Sequence, residues 1–103
     1  MADKVLSMLG LCARARKVVS GEFSTEKAVK EGKAWLVIVA EDASDNTKKL
    51  FRNKCEFYGI PCYIYGNKET LAHSIGNEMR ASLAVTDEGL ASEIIKRLKE
   101  SQN

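Results

Sequence analysis

Apolar positions recur along this chain with two different periods. Val5, Leu6, Leu9, Cys12 and Ala13 follow helical spacing, which predicts an amphipathic helix from Asp3 to about Arg16, with Arg14 and Arg16 near its C-terminal end. A short strand from Lys17 to Ser20 is expected next. Gly21 breaks the pattern, and Ser24 is a candidate N-cap for a second helix, barely two turns long, that carries Lys27, Ala28 and Val29 and stops at Gly32. Trp35 to Ala40 is an unbroken apolar, β-branched run, the mark of a strand covered on both faces and hence of the sheet's centre. After the polar turn from Glu41 to Asp45, Leu50, Phe51, Cys55 and Tyr58 mark one face of a third helix that Gly59 ends. Ile60 to Tyr65 is the next strand. Asn67 can cap a short helix through Leu71, Ala72 and Ile75, closed at Gly76, and Asn77 to Met79 is a loop. Arg80 to Thr86 supplies a fourth strand, and Thr86 or Asp87 can cap a last helix carrying Leu90, Ile94, Ile95 and Leu98.

Helices and strands thus alternate, which places the chain in the α/β class. The expected architecture is a three-layer α/β/α sandwich, with a four-stranded central sheet, largely parallel or mixed, and about five helices. In such a fold, ligands meet the loops at one end of the sheet. With 103 residues, the chain is expected to form a single domain, 1–103, burying roughly two-thirds of its unfolded surface.

Composition narrows the function classes only a little. No apolar run approaches the ~20 residues that cross a bilayer, and Met1 to Leu11 lacks the features of a secretory leader, so no membrane partner is expected. Cys12, Cys55 and Cys62 are odd in number, widely spaced and set in apolar contexts; they read as small buried hydrophobes in a reducing, cytoplasmic setting. The formal net charge of +2 permits an RNA partner without demanding one. That charge is uneven: residues 1–33 sum to +3 and the remainder to −1, so a basic face is expected in the first third.

Few constellations suggest catalysis. A cysteine nucleophile with His73, the only histidine, has no flanking sequence to support it, and Glu41-Asp42 reads as a turn and capping pair before it reads as a metal or phosphoacceptor site. Gly21, Gly32, Gly59 and Gly66 are isolated, so nucleotide-binding glycine patterns are absent and no cofactor or metal is implied. Ser20-Gly21-Glu22-Phe23-Ser24-Thr25-Glu26-Lys27 is more informative. A glycine leading into a helix start leaves backbone N–H groups at a positive dipole end, and a lysine one turn later adds a charge, an arrangement that can hold an RNA phosphate. On the local pattern alone, Gly21 can equally be a plain turn and Lys27 a solvated helix residue.

The block "GEFSTEKAVKEGKA" from Gly21 to Ala34, the apolar strand after it and Glu41-Asp42-Ala43 together resemble the signature of the ribosomal kink-turn RNA-binding superfamily, which includes archaeal large-subunit protein seven-Ae and the eukaryotic thirty-e protein. "GIPCYIYGNKETLAHSIG" and "RASLAVTDEGLASEII" resemble its later strands and helices, while "LGLCARARKVVSGE" and "EDASDNTKK" resemble the bacterial YlxQ-like branch. The resemblance spans nearly the whole chain. It implies an α/β/α fold, no enzymatic activity and no cofactor, and binding to structured RNA, in the family a kink-turn with sheared G·A pairs. By position, Gly21 matches the glycine at which backbone approaches RNA and Lys27 the RNA-contacting lysine, while Asn77, Glu78, Met79 and Arg80 match the loop over an extruded base. Arg14, Arg16, Lys17, Lys30 and Lys33 are expected to supply phosphate contacts. One departure stands out: the family's Asn-Glu pair, which reads the guanines, aligns with Phe23-Ser24, for which Glu22 can offer a neighbouring acceptor and Phe23 either a stacking surface or a hydrophobic staple. The expected role is therefore an RNA-binding accessory protein of the ribosome or translation machinery, acting as a monomer. The alternative is a protein-interaction module that keeps the fold and uses Phe23 as an apolar anchor.

Overall fold

The computed structural model describes residues 3–101. Its elements are α1 (Lys4–Arg14), β1 (Val18–Ser20), α2 (Glu22–Lys30), β2 (Leu36–Val39), α3 (Asp45–Tyr58), β3 (Cys62–Ile64), α4 (Lys68–Ser74), β4 (Ser82–Val85) and α5 (Glu88–Ser101). Helices α1, α4 and α5 pack on one face of the sheet and α2 and α3 on the other, the sandwich that the alternation predicts.

The sheet order is β1-β4-β2-β3. Only β2 and β3 run parallel; β4 lies between β1 and β2 and runs antiparallel to both, pairing Ser20 with Leu83 on one side and Val39 with Ser82 on the other. Of the two expected arrangements, largely parallel or mixed, the sheet is the mixed one. The cause lies in α4, seven residues and about 10 Å long, which packs against α1 instead of crossing back over the sheet. The chain leaves β3 and re-enters β4 from the same end. Both central strands, β2 and β4, are buried at every residue, as the unbroken apolar run at 35–40 predicts for β2.

Local chemistry fixes the ends of the elements. Asp3 caps α1 by accepting from the Leu6 N–H at 3.0 Å, Ser44 caps α3 through the Thr47 N–H at 3.1 Å, and Asn67 forms a reciprocal capping box with Thr70. Asp87, not Thr86, caps α5, accepting from the Leu90 N–H at 2.9 Å. Gly59 takes the left-handed conformation that ends α3. The acidic turn is structural: Asp42 Oδ1 accepts from the Lys68 N–H at 2.9 Å, fastening the start of α4 to the end of β2.

Cys12 and Cys55 are buried, as expected of small hydrophobes, and burial pushes the Cys12 thiol up to about 11. Cys62 is only half-buried and meets Cys55, because the tight turn at Gly59 folds the start of β3 back along α3. Their mutual hydrogen bond pushes the Cys55 thiol up and Cys62 down.

The Tyr65 hydroxyl donates to Asp3 Oδ2 at 2.5 Å, tying the end of β3 to the cap of α1. Burial and then this bond raise the Tyr65 phenol from 10.0 to about 12. A group whose folded pKa lies above its unfolded value stabilises fully below the unfolded value and loses that contribution as pH rises through the folded one. Chemical denaturation across this alkaline window should therefore show part of the wild-type stability lost between pH 10.0 and about 12, and the Tyr65→Phe variant should lack that part. At neutral pH the same substitution should cost about 0.5–1.5 kcal/mol, one hydrogen bond.

Candidate nucleic-acid interface

The antiparallel entry of β4 carries the loop before it to the start of α2. The Gly21 N–H donates to the Ser82 carbonyl at 2.9 Å, continuing the β1–β4 ladder by one bond into the turn. Behind it, Ser82 Oγ donates to Thr25 Oγ1 at 3.5 Å, and both side chains are fully buried. The first turn of α2 is thus pinned to the first residue of β4.

Gly21, rather than Ser24, is the N-cap of α2, with φ 92° and ψ 156°, and no side chain caps the helix. Ser24 lies exposed in the first turn, and α2 starts at Glu22 because the positive φ at Gly21 reverses the chain three residues earlier than the serine signal suggests. The amides of the first turn therefore face outward without a capping oxygen, beside a positive helix end. Phe23 is 78% exposed, so it does not act as a staple. With Val19, Ser24, Lys27 and Thr86 it lines a shallow depression between α2 and β1. Lys27 is exposed and, among the described residues, makes no ion pair, whereas Lys30 pairs with Glu26 at 3.5 Å and Lys33 with Glu31 at 3.3 Å. Such exposed pairs hold their cations weakly. Glu22 turns toward α3, where Thr47 Oγ1 donates to its Oε1 at 3.5 Å.

The loop joining α4 to β4 closes over the same corner. Asn77 Nδ2 and Arg80 Nε both donate to Ser20 Oγ, at 3.3 and 3.1 Å, and Arg80 Nη1 donates to the carbonyls of Glu78 at 2.6 Å and Met79 at 3.1 Å. Arg80 is thus a clamp: its guanidinium holds the loop's own backbone and the residue before Gly21 together. Its stem passes over Gly21, where an added Cβ would lie 3.9 Å from Arg80 Cδ. Glu78 and Met79 project outward, Met79 at 60% exposure. Gly21, Glu22, Phe23, Ser24, Lys27, Asn77, Glu78, Met79 and Arg80 therefore share one end of the sheet. Arg14, Arg16 and Lys17 do not join them. All three are exposed at the end of α1 and before β1, the opposite end of that strand from Gly21.

Sequence reasoning missed cations on α3. Lys48, Lys49, Arg52 and Lys54 stand there against Asp45 and Glu56, and Lys54 reaches across to the Glu26 carboxylate of α2 at 3.7 Å. A single charge sum over the residues after 33 hides this, because acids elsewhere in that stretch, Glu41, Asp42 and Asp45 among them, cancel it; the interval of cations along one helix was the available signal. His73 is exposed on α4, in a cleft lined by Asp3, Leu6, Ser7, Glu69, Thr70 and Ser74, none of them a cysteine.

The model of one family matches residues 3–95, nearly the whole fold just described. The chain belongs to the ribosomal protein L7Ae/L30e/S12e/Gadd45 family. Within the L7Ae-type family it is similar to the RNA-binding protein YlxQ of Bacillus subtilis, 45% identical over 88% of this chain and 91% of that protein. An Enterococcus faecium RNA-binding protein YlxQ is 35% identical over 86% of this chain and 85% of its own. Among solved structures, a Bacillus halodurans protein of unknown function superposes with a TM-score of 0.92 at 39% identity, over 95% of this chain and 99% of that one. A Giardia lamblia 15.5kD RNA binding protein shares the L7Ae-type fold, with a TM-score of 0.79 at 24% identity, over 92% and 84% of the two chains.

Two substitutions probe the corner. Gly21→Ala meets only ordinary van der Waals contact with the Arg80 stem but a forbidden backbone, so denaturation should show a loss of about 1–3 kcal/mol. Arg80→Met keeps the stem and removes the clamp; amide exchange should quicken at Asn77, Glu78 and Met79, with the protection of β2 and β4 unchanged.

Proposed function

We propose that this chain is an RNA-binding accessory protein of the ribosome or translation machinery, and that it recognises a kink-turn or related structured RNA with the corner formed by the start of α2 and the loop before β4. The observation that carries this reading is the Arg80 clamp, which fastens the loop at 77–80 to the residue before Gly21 and so presents the uncapped amides of α2, Lys27 and the loop as one preorganised surface. Preorganised backbone donors beside a lysine suit bent RNA, which proteins read by shape, phosphate contacts and splayed bases. Its similarity to the RNA-binding proteins YlxQ supports an RNA partner. No step of this role needs a catalytic residue or a cofactor, and the protein acts as a non-enzymatic, cytoplasmic, one-domain monomer.

Phe23-Ser24, in place of an amide and carboxylate pair, alters how the guanines of G·A pairs are met. Glu22 is drawn toward Thr47, so the exposed Phe23 ring is the group left to meet a base, by stacking instead of hydrogen bonding. The same exposure favours the second reading, Phe23 as an apolar anchor for a protein partner.

Binding of the purified protein to a kink-turn RNA, and to the same RNA with its G·A pairs replaced by Watson–Crick pairs, tests the first reading at two salt concentrations. Tight binding to the former and weak, salt-sensitive binding to the latter is the expected result, and Lys27→Ala should weaken the former by roughly tenfold or more. Equal affinity for both RNAs removes kink-turn recognition. Partners that survive RNase in a pull-down and vanish with Phe23→Ala would establish the second reading instead.

A further inference from the structure

The most exposed large apolar side chain among the described residues lies outside this corner. Phe57, near the end of α3, is 81% exposed, although Tyr58 packs edge-on against it with ring centroids 5.0 Å apart. Leu50, Asn53, Lys54, Phe57 and Tyr58 line one shallow depression along the outer side of α3. That depression borders α2, because Lys54 shares the Glu26 carboxylate with Lys30. Thr47 meets Glu22 at the start of the two helices, and Phe57 stands ten residues, about 15 Å, further along α3, within reach of an RNA bound at the corner.

We infer that this face of α3 is a second RNA contact, where an unpaired base flanking the structured element stacks on Phe57 while the neighbouring phosphate is drawn to Lys54. The inference rests on the RNA-binding reading above. An aromatic ring beside flexible cations is the composition of single-strand sites, in which every base offers a face to stack and the backbone follows the positive charge. Lysine is depleted from the cores of protein–protein interfaces, Lys54 is the charged residue lining the depression, and α3 as a whole carries four cations against two acids, so charge complementarity selects RNA as the occupant. The Lys54–Glu26 pair is partly exposed and gives up its lysine to a phosphate at little cost.

Fluorescence anisotropy with three RNAs tests it: a kink-turn duplex, the same duplex with a single-stranded adenosine tail at either end, and the free oligoadenosine strand. The tail should tighten wild-type binding at least fivefold or so. Phe57→Ala and Phe57→Leu should abolish that gain while leaving the untailed duplex bound as before, and Phe57→Trp should keep it. Because Phe57 is exposed, all three variants should fold, which circular dichroism checks. A tail that adds nothing to wild-type binding, or adds equally to Phe57→Ala, overturns the inference. If the duplex itself is not bound, the free strand decides: salt-sensitive binding lost in Phe57→Ala sustains the α3 contact while the kink-turn reading falls, and no binding overturns both.

Discussion

The hydrogen bond from the Gly21 N–H to the Ser82 carbonyl is the constraint on which the arrangement of this molecule's exposed corner depends. It extends the β1–β4 ladder past the end of β1, and so fixes where the chain reverses into α2. The reversal needs a positive φ, which glycine alone adopts cheaply, and the helix that follows therefore starts with no capping side chain. Buried Thr25 and Ser82 repeat the attachment one layer deeper, so a tilt of α2 relative to β4 would leave two hydroxyls unsatisfied in the core. Against this fixed seam the Arg80 and Asn77 side chains fasten the loop at 77–80, which backbone bonds also tie to α4.

Much of this was legible in the sequence, and for identifiable reasons. Helix and strand order followed from apolar periodicity, because each helix buries one stripe and both central strands bury both faces. Asp3, Ser44, Asn67 and Gly59 signalled their boundaries through short-range chemistry, which a sequence carries explicitly. Ser24 misled because serine caps helices by side chain, whereas here the helix starts three residues earlier on a backbone reversal. The direction of β4 was illegible for a different reason. Nothing in the β4 sequence distinguishes parallel from antiparallel neighbours; the choice was made by α4, which is too short to cross the sheet and packs on α1.

The candidate site was legible in parts. Family resemblance and the glycine-lysine spacing located Gly21 and Lys27, while the role of Arg80 as a clamp depended on Ser20, sixty residues away in sequence. Summing charge over stretches of chain grouped Arg14, Arg16 and Lys17 with α2, although β1 separates them by its full length. The same summing missed α3, whose cations lie beside α2 in space. Charge acts through three-dimensional distance, and a strand between two cations matters more than their numbers in the chain.

The central position of β4 also orders events during synthesis. β1 is made before the other strands, yet among the described residues its one strand partner is β4, which begins at Ser82 and follows β2 and β3 in the chain. Until that segment emerges, β2 and β3 can pair while β1 waits with an open edge, and such long-range closure is slow. The two halves of the corner, one from each side of this pairing, therefore come into existence together, and a nascent chain acquires its candidate binding surface in a single step once β4 has emerged.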